Sequence, residues 1–201
     1  MLTSTQLQRT AARRAFQGDI PGAIQAMETA VALDPDNFHH WMWMGKLHRQ
    51  SGDVAGSQRC AAEALRCMDE APNRTISPEE RTRLEVRTSI LAGNRSRAET
   101  AVRRLEALRR DQVNACLAAE SFSDWKEADC FAAPIYETLL ELHRILADPE
   151  GMDAASSRYL ASLDHALEMA RNEGALPDEV AVIETRRRQA DADGKTPILV
   201  E

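Results

Sequence analysis

Two Gly-Asp dipeptides, Gly18-Asp19 and Gly52-Asp53, stand 34 residues apart in a chain of 201. Each carries a second glycine four residues on, Gly22 and Gly56, and each runs into a helical pattern of small and apolar residues. A unit recurring at this period cannot bury its own apolar face and must stack against its neighbours. Composition makes such units helical: aromatics are only 4% of the chain, while Ala, Arg, Glu and Leu are plentiful. No run alternates β-branched and aromatic residues as a strand would, and the terminal TPILVE is too short to build a sheet. The expected fold class is all-α, built of stacked antiparallel helical hairpins.

Helix punctuation is dense in the first half. Thr5 with Gln8 reads as a capping box for a helix ending near Gln17. Gly18 stops it, and Asp19 caps the next helix with Pro21 in its first turn. Ala23, Ala26, Met27, Ala30, Val31 and Leu33 then share one face. Asp34-Pro35 closes that helix, Asn37 caps a third over FHHWMWMGKLHRQ, and Asp53 caps a fourth reaching about Met68.

Helix, Gly-Asp turn, helix, Asp-Pro turn, repeated at 34 residues, resembles the tetratricopeptide repeat (TPR) family. Gly18, Ala23, Ala30 and Pro35 carry the likeness in the first repeat, and Trp41, Gly45, Gly52 and Ala64 in the second. It covers about residues 4–69, with Leu7, Thr10, Ala11 and Arg14 departing from the family's preferences and Asp69 replacing a closing proline. The resemblance implies a right-handed solenoid with a C-terminal capping helix. In it, Gly45 and Ala23 let neighbouring helices approach, with Gly45 packed against the preceding hairpin, while Trp41 and Leu47 fill the space between paired helices.

The hairpin rhythm continues with the signature faded. A single domain over 1–201 is expected: two clear repeats in 1–69, a degenerate third hairpin in 77–110, divergent helices in 112–192 and a tail at 193–201. Asp69 to Ile76 reads as a longer loop. Ser77, Pro78 and Glu80 begin a helix. Its partner runs from Asn94 to Arg110 with Ala98, Ala101, Val102, Leu105 and Leu108 on one face. A short helix capped by Ser123 is expected to end before Pro134. Helices at about 134–147 and 152–172 follow, with DPEG as the stop between them, and a last helix begins at LPDEV.

Chemical motifs are sparse. Cys60, Cys67, Cys116 and Cys130 form no CxxC or CxxH pair and read as small buried hydrophobes. His39 and His40 are adjacent, hence about 100° apart on a helix, and do not share one metal readily; packed Met and partly exposed His are expected there. No nucleophile elbow, phosphate loop or HExxH is present. The chain reads as neither an enzyme nor a cofactor or metal binder. No apolar run suits a membrane helix or a secretory signal, so a cytoplasmic location and no membrane partner are expected. Residues 81–110 hold nine arginines against three glutamates, while the whole chain carries −7. That stretch offers an alternative function, a regulatory or nucleic-acid-associated role. The acidic total and the lack of interleaved aromatics argue against nucleic acid, and the arginines read better as a solvated face or as partners of the acidic C-terminal half.

In TPR proteins the first helix of each hairpin lines a groove that holds a peptide or helix of a partner protein. By position, the resemblance assigns this groove to Gln8, Ala12 and Phe16 in the first repeat, with Thr5 and Ala15 beside them. In the second it assigns His39, Met42, Lys46, Arg49 and Gln50. The Lys/Asn clamp of the chaperone-binding branch is missing, since Gln8, Ala12 and Trp43 stand there. A scaffold, adaptor or chaperone-like module is the function implied; self-association stays open.

Overall fold

The computed structural model describes residues 2–70 and 76–195. Most of the loop expected at 69–76, and the tail beyond 195, therefore lie outside the described residues. Nine helices and no strand are found among them: α1 (Ser4–Phe16), α2 (Ile20–Leu33), α3 (Phe38–Gln50), α4 (Val54–Glu70), α5 (Pro78–Leu91), α6 (Arg95–Ala115), α7 (Phe122–Ile145), α8 (Pro149–Glu173) and α9 (Pro177–Lys195). The protein is all-α, as expected. Two compact units divide it, Met1–Ala98 and Glu99–Glu201.

One turn design joins helices in both units. The residue closing each turn is in the left-handed region: Gly18, Gly52 and Gly93 at φ 82°, 83° and 73°, and Ala147 at φ 48°. An Asp or Asn follows. Its N–H donates to the carbonyl five residues back, in Asp19 to Arg14, Asp53 to His48, Asn94 to Ser89 and Asp148 to His143, at 2.8–3.0 Å. Its side chain accepts from the N–H three residues on, at Gly22, Gly56, Arg97 and Gly151. One residue thus satisfies orphan groups of the helix it ends and of the helix it begins.

The second glycine of the motif is a matter of space. A Cβ on Gly56 would collide with the Asp53 carboxylate and His48 Nδ1, and one on Gly151 with His143 and Asp148. The basic residue five before the cap therefore occupies the volume a side chain would need.

In the first unit each helix packs on its chain neighbours from α1 through α5. Leu7, Ala11, Met27, Met44 and Leu47 belong to one buried cluster, and Phe38, Ala64, Leu65 and Met68 to a second. Each such large side chain contributes about 1.5–3 kcal/mol on burial. Trp41 bridges the clusters, and its Nε1 donates to the Pro35 carbonyl at 2.7 Å. Gly45 faces α4 across its own hairpin, not the preceding one: a Cβ there would meet Cys60 Cβ at 3.3 Å and the Ser57 carbonyl at 3.4 Å.

In the second unit α8 packs on α7 and α9. Tyr136 of α7 stacks on Tyr159 of α8 at 4.8 Å, and Trp125 Nε1 donates to Ser162 Oγ at 3.1 Å. Arg186 of α9 reaches the buried Asp129 at 2.6 Å, and Lys126 reaches Glu179 at 3.0 Å.

Several expectations change. The first capping box is Thr3 with Gln6, two residues earlier than Thr5 with Gln8. Helix α6 runs to Ala115, and its Leu108, two turns before that end, is 57% exposed; Leu33, the last residue of α2, is exposed as well. Ser121, not Ser123, caps α7, and that helix continues through Pro134 instead of stopping there. The proline frees only the Cys130 carbonyl, and Cys130, Phe131 and Pro134 lie on the exposed side where water can bond it. The DPEG segment starts α8, since Asp148 caps it and Pro149 is its first residue. Cys60, Cys67 and Cys116 are buried but Cys130 is exposed.

Ala147 is the one non-glycine in the turn series. Replacing it by glycine is expected to raise stability by up to about 1 kcal/mol in urea unfolding, because the left-handed backbone penalises Cβ. Gly52→Ala is expected to lower it by about 1 kcal/mol, although open space surrounds the new methyl. Gly45→Leu is expected to cost about 1–3 kcal/mol by overpacking α3 against α4; an unchanged midpoint would show that the two helices do not need this close approach.

Candidate functional site

The residues assigned to a groove lie on α1 and α3, both in the first unit. On α1, Gln8, Ala12 and Phe16 are four apart and share one stripe, in which Gln8 and Ala12 are half-buried and Phe16 is 94% exposed. On α3, His39, Met42, Lys46 and Arg49 follow one helical face. His39, Lys46, Arg49 and Gln50 are exposed, while Met42 is half-buried against the second core cluster beside Leu84 of α5. The α3 face thus has one apolar anchor at its middle and a cationic C-terminal end. Neither Lys46 nor Arg49 meets a carboxylate among the described residues.

The adjacent histidines differ. His39 is exposed and its ring lies 3.9 Å from Phe38, centroid to centroid. Partial burial lowers its pKa, helped by His40 and opposed by Glu80 of α5. His40 is 1% exposed, contrary to the partly exposed ring expected. Burial lowers its pKa too, with Asp34 opposing. Its Nε2 is 3.7 Å from Asp34 Oδ2, too far for a hydrogen bond, and its ring is held neutral.

Of the arginines of 81–110, Arg81, Arg83, Arg97 and Arg109 are half-buried, while Arg87, Arg95, Arg103, Arg104 and Arg110 are exposed. Arg97 binds Asp69 with both terminal nitrogens and Glu85 with Nε, at 2.7–3.0 Å. Arg81 donates to the Met68 carbonyl at 2.9 Å, and Arg83 lies 3.7 Å from Glu80. Arg97 therefore pairs within its own unit and not with the acidic C-terminal half.

Sequence reasoning missed two features. The first is the basic partner of the turn: His48 Nδ1 is 2.9 Å from Asp53 Oδ2, and His143 Nδ1 is 3.0 Å from Asp148 Oδ2. Its signal was present as Arg or His five residues before Asp and Gly three after, at 14–22, 48–56 and 143–151. His143 is buried, and its Nε2 also meets Glu106 at 3.1 Å. Burial alone would lower its pKa, but the hydrogen bonds to Glu106 and Asp148 outweigh it and the net shift is upward. The second is a cavity in the second unit walled by α6, α7 and α8. Its residues come from three helices of unequal length, and no spacing along the chain announces them.

No protein-family model matches the chain, and no curated protein is significantly similar to it in sequence. Among the described residues no helix is long and apolar enough to cross a membrane.

The two buried histidines drive opposite pH dependences. His143 gains its carboxylates only on folding, so its stabilisation is complete below the unfolded value of 6.5 and is lost as pH rises through the higher folded pKa. His40 is the reverse: its burial erodes stability as pH falls below 6.5, where only the unfolded chain takes up the proton. The gap in melting temperature between wild type and His143→Gln is therefore expected to narrow as pH is raised from about 6 to about 8.5. A constant gap would mean that the imidazole contributes by packing alone.

Proposed function

We propose that the first unit is a TPR-like protein-interaction module, a scaffold, adaptor or chaperone-like protein of the cytoplasm. It holds a peptide or helix of a partner on the groove side of α1 and α3. The observation that carries this is the combination of a nearly bare Phe16 with the cations Lys46 and Arg49, which no carboxylate among the described residues pairs with. A large exposed aromatic contributes nothing to folding but much to an interface. Charges three apart on one helix can act together on a carboxylate. The 34-residue period and its repeated turn support the family reading over the two clear repeats. The fit is to an amphipathic or extended segment bearing an acidic side chain or terminus. Catalysis has no support in a face of this composition.

The internal pairing of Arg97, Arg81 and Arg83 weakens the alternative of a nucleic-acid surface over 81–110. Lys46→Ala with Arg49→Ala is expected to weaken binding of a partner recovered on the immobilised protein by about 1–3 kcal/mol. Helical content should not change, since exposed charges contribute little to folding. The measurement is isothermal titration, run beside Arg103→Ala with Arg104→Ala as the comparison on the basic stretch. If the second pair loses binding and the first does not, the groove reading fails and the basic face takes its place.

A further inference from the structure

The second unit holds a cavity of about 480 Å³ between α6, α7 and α8, within the range of small-molecule sites. Its floor is apolar and held in place. Val113, Tyr136 and Leu139 form it; Tyr136 is 1% exposed, and its hydroxyl donates to the Val113 carbonyl at 3.2 Å while its ring stacks on Tyr159. The rim is charged, with Arg110, Arg158 and Glu106 lining the same space. Glu106 is already engaged by His143. Neither Arg110 nor Arg158 has a carboxylate partner among the described residues. For Arg158 the α8 neighbours three and four residues away are Ala154, Ala155, Ala161 and Ser162, so none of them supplies an acid. Elsewhere in this unit the chain does pair its arginines, as Arg186 with Asp129 and Arg187 with Asp164.

We propose that this cavity binds a small organic monocarboxylate, with the carboxylate between Arg110 and Arg158 and an aliphatic or aromatic tail on Tyr136, Leu139 and Val113. Two guanidiniums over an apolar floor select an anion with an apolar body. Arg forks match a carboxylate in geometry and form charge-assisted hydrogen bonds, the stronger kind. Glu106 at the same rim penalises a second negative charge, which disfavours phosphate monoesters. An ammonium would face both arginines. The volume suits a small molecule better than a chain segment. Ala154 and Ala155 form the α8 wall, and their small size is what leaves the space open.

The test uses the full chain and 4-phenylbutyrate, with 4-phenylbutanol and 4-phenylbutylamine as neutral and cationic counterparts. Saturable binding of the acid is expected in calorimetry, together with chemical-shift changes at Tyr136 and Leu139. The alcohol should bind about tenfold or more weakly, and the amine not at all. Arg110→Gln and Arg158→Gln are each expected to cost about tenfold in affinity with the melting temperature unchanged, because both positions are exposed. Ala154→Leu should block binding by filling the wall; should that variant fold poorly, the two Gln variants decide alone. Absence of saturable binding by the acid, equal binding of acid and alcohol, or wild-type affinity in both Gln variants would overturn the proposal.

Discussion

The N–H of an Asp or Asn, bonded to the carbonyl five residues back, is the contact on which the hairpins depend. It follows a residue in the left-handed region, and the same side chain then caps the next helix. A helix end otherwise leaves several backbone groups unsatisfied, and a cap is worth about 1 kcal/mol. Because one residue serves two ends, the turn has little freedom in length or direction. Helix α1 must fold back along α2 and α3 along α4, and the small residues Ala23, Ala30, Gly45 and Ala64 then meet neighbours at close range. The apolar clusters form on a frame whose corners are set by backbone and cap.

The variant turn shows what the others have in common. At 89–97 the basic residue is replaced by Ser89 and the second glycine by Arg97. With no imidazole beside the cap, a Cβ at residue 97 is tolerated. Its side chain leaves the turn and binds Asp69 and Glu85, tying α6 to α5 and to the end of α4. These bonds to two carboxylates raise the Arg97 pKa, the Asp69 hydrogen bond contributing most and partial burial opposing. A change at one turn position thus converts a local cap into a tertiary ion pair. It also removes the central arginine of the basic stretch from the surface available to a partner.

The first half of the fold was legible because its signals are local. Gly18, Asp19, Asn37, Asp53 and Ser77 act at the positions the chain chemistry indicates, and the buried face of α2 is the periodic one apart from Leu33. The second half was harder because tertiary packing overrides a local breaker. Pro134 is a stop in isolation, yet Trp125, Ala132, Tyr136 and Leu139 are buried on both sides of it, and their burial outweighs one lost hydrogen bond on the wet side. Asp148-Pro149 resembled a closing turn and is an opening one, since cap and first-turn proline look alike from either side. The face on α3 could be read from its period. That Met42 packs on the second core cluster while His40 is buried could not, because neighbouring helices decide it and not the spacing along α3.

The left-handed residues that precede an Asp or Asn cap fall at 18, 52, 93 and 147, so the spacing widens through this series; Gly174, left-handed as well, ends α8 outside it. At the 34-residue period small residue packs against small residue, as Gly45 does on Cys60. The longer α7 and α8, of 24 and 25 residues, set the alanines at 154 and 155 in a cavity shared with Tyr136 and Leu139. Charge is distributed by the same logic. Arg66, Arg97, Arg186 and Arg187 each meet a carboxylate that the fold brings near. Among the described residues no carboxylate pairs with Lys46 or Arg49, and Arg110 and Arg158 lie over an apolar floor beside Glu106, which His143 engages. No carboxylate of the described residues forms an ion pair with these four cations, whereas a bound carboxylate would be stabilised by either pair. Their unused charge, not the total charge of the basic stretch, marks where the molecule has binding energy to offer.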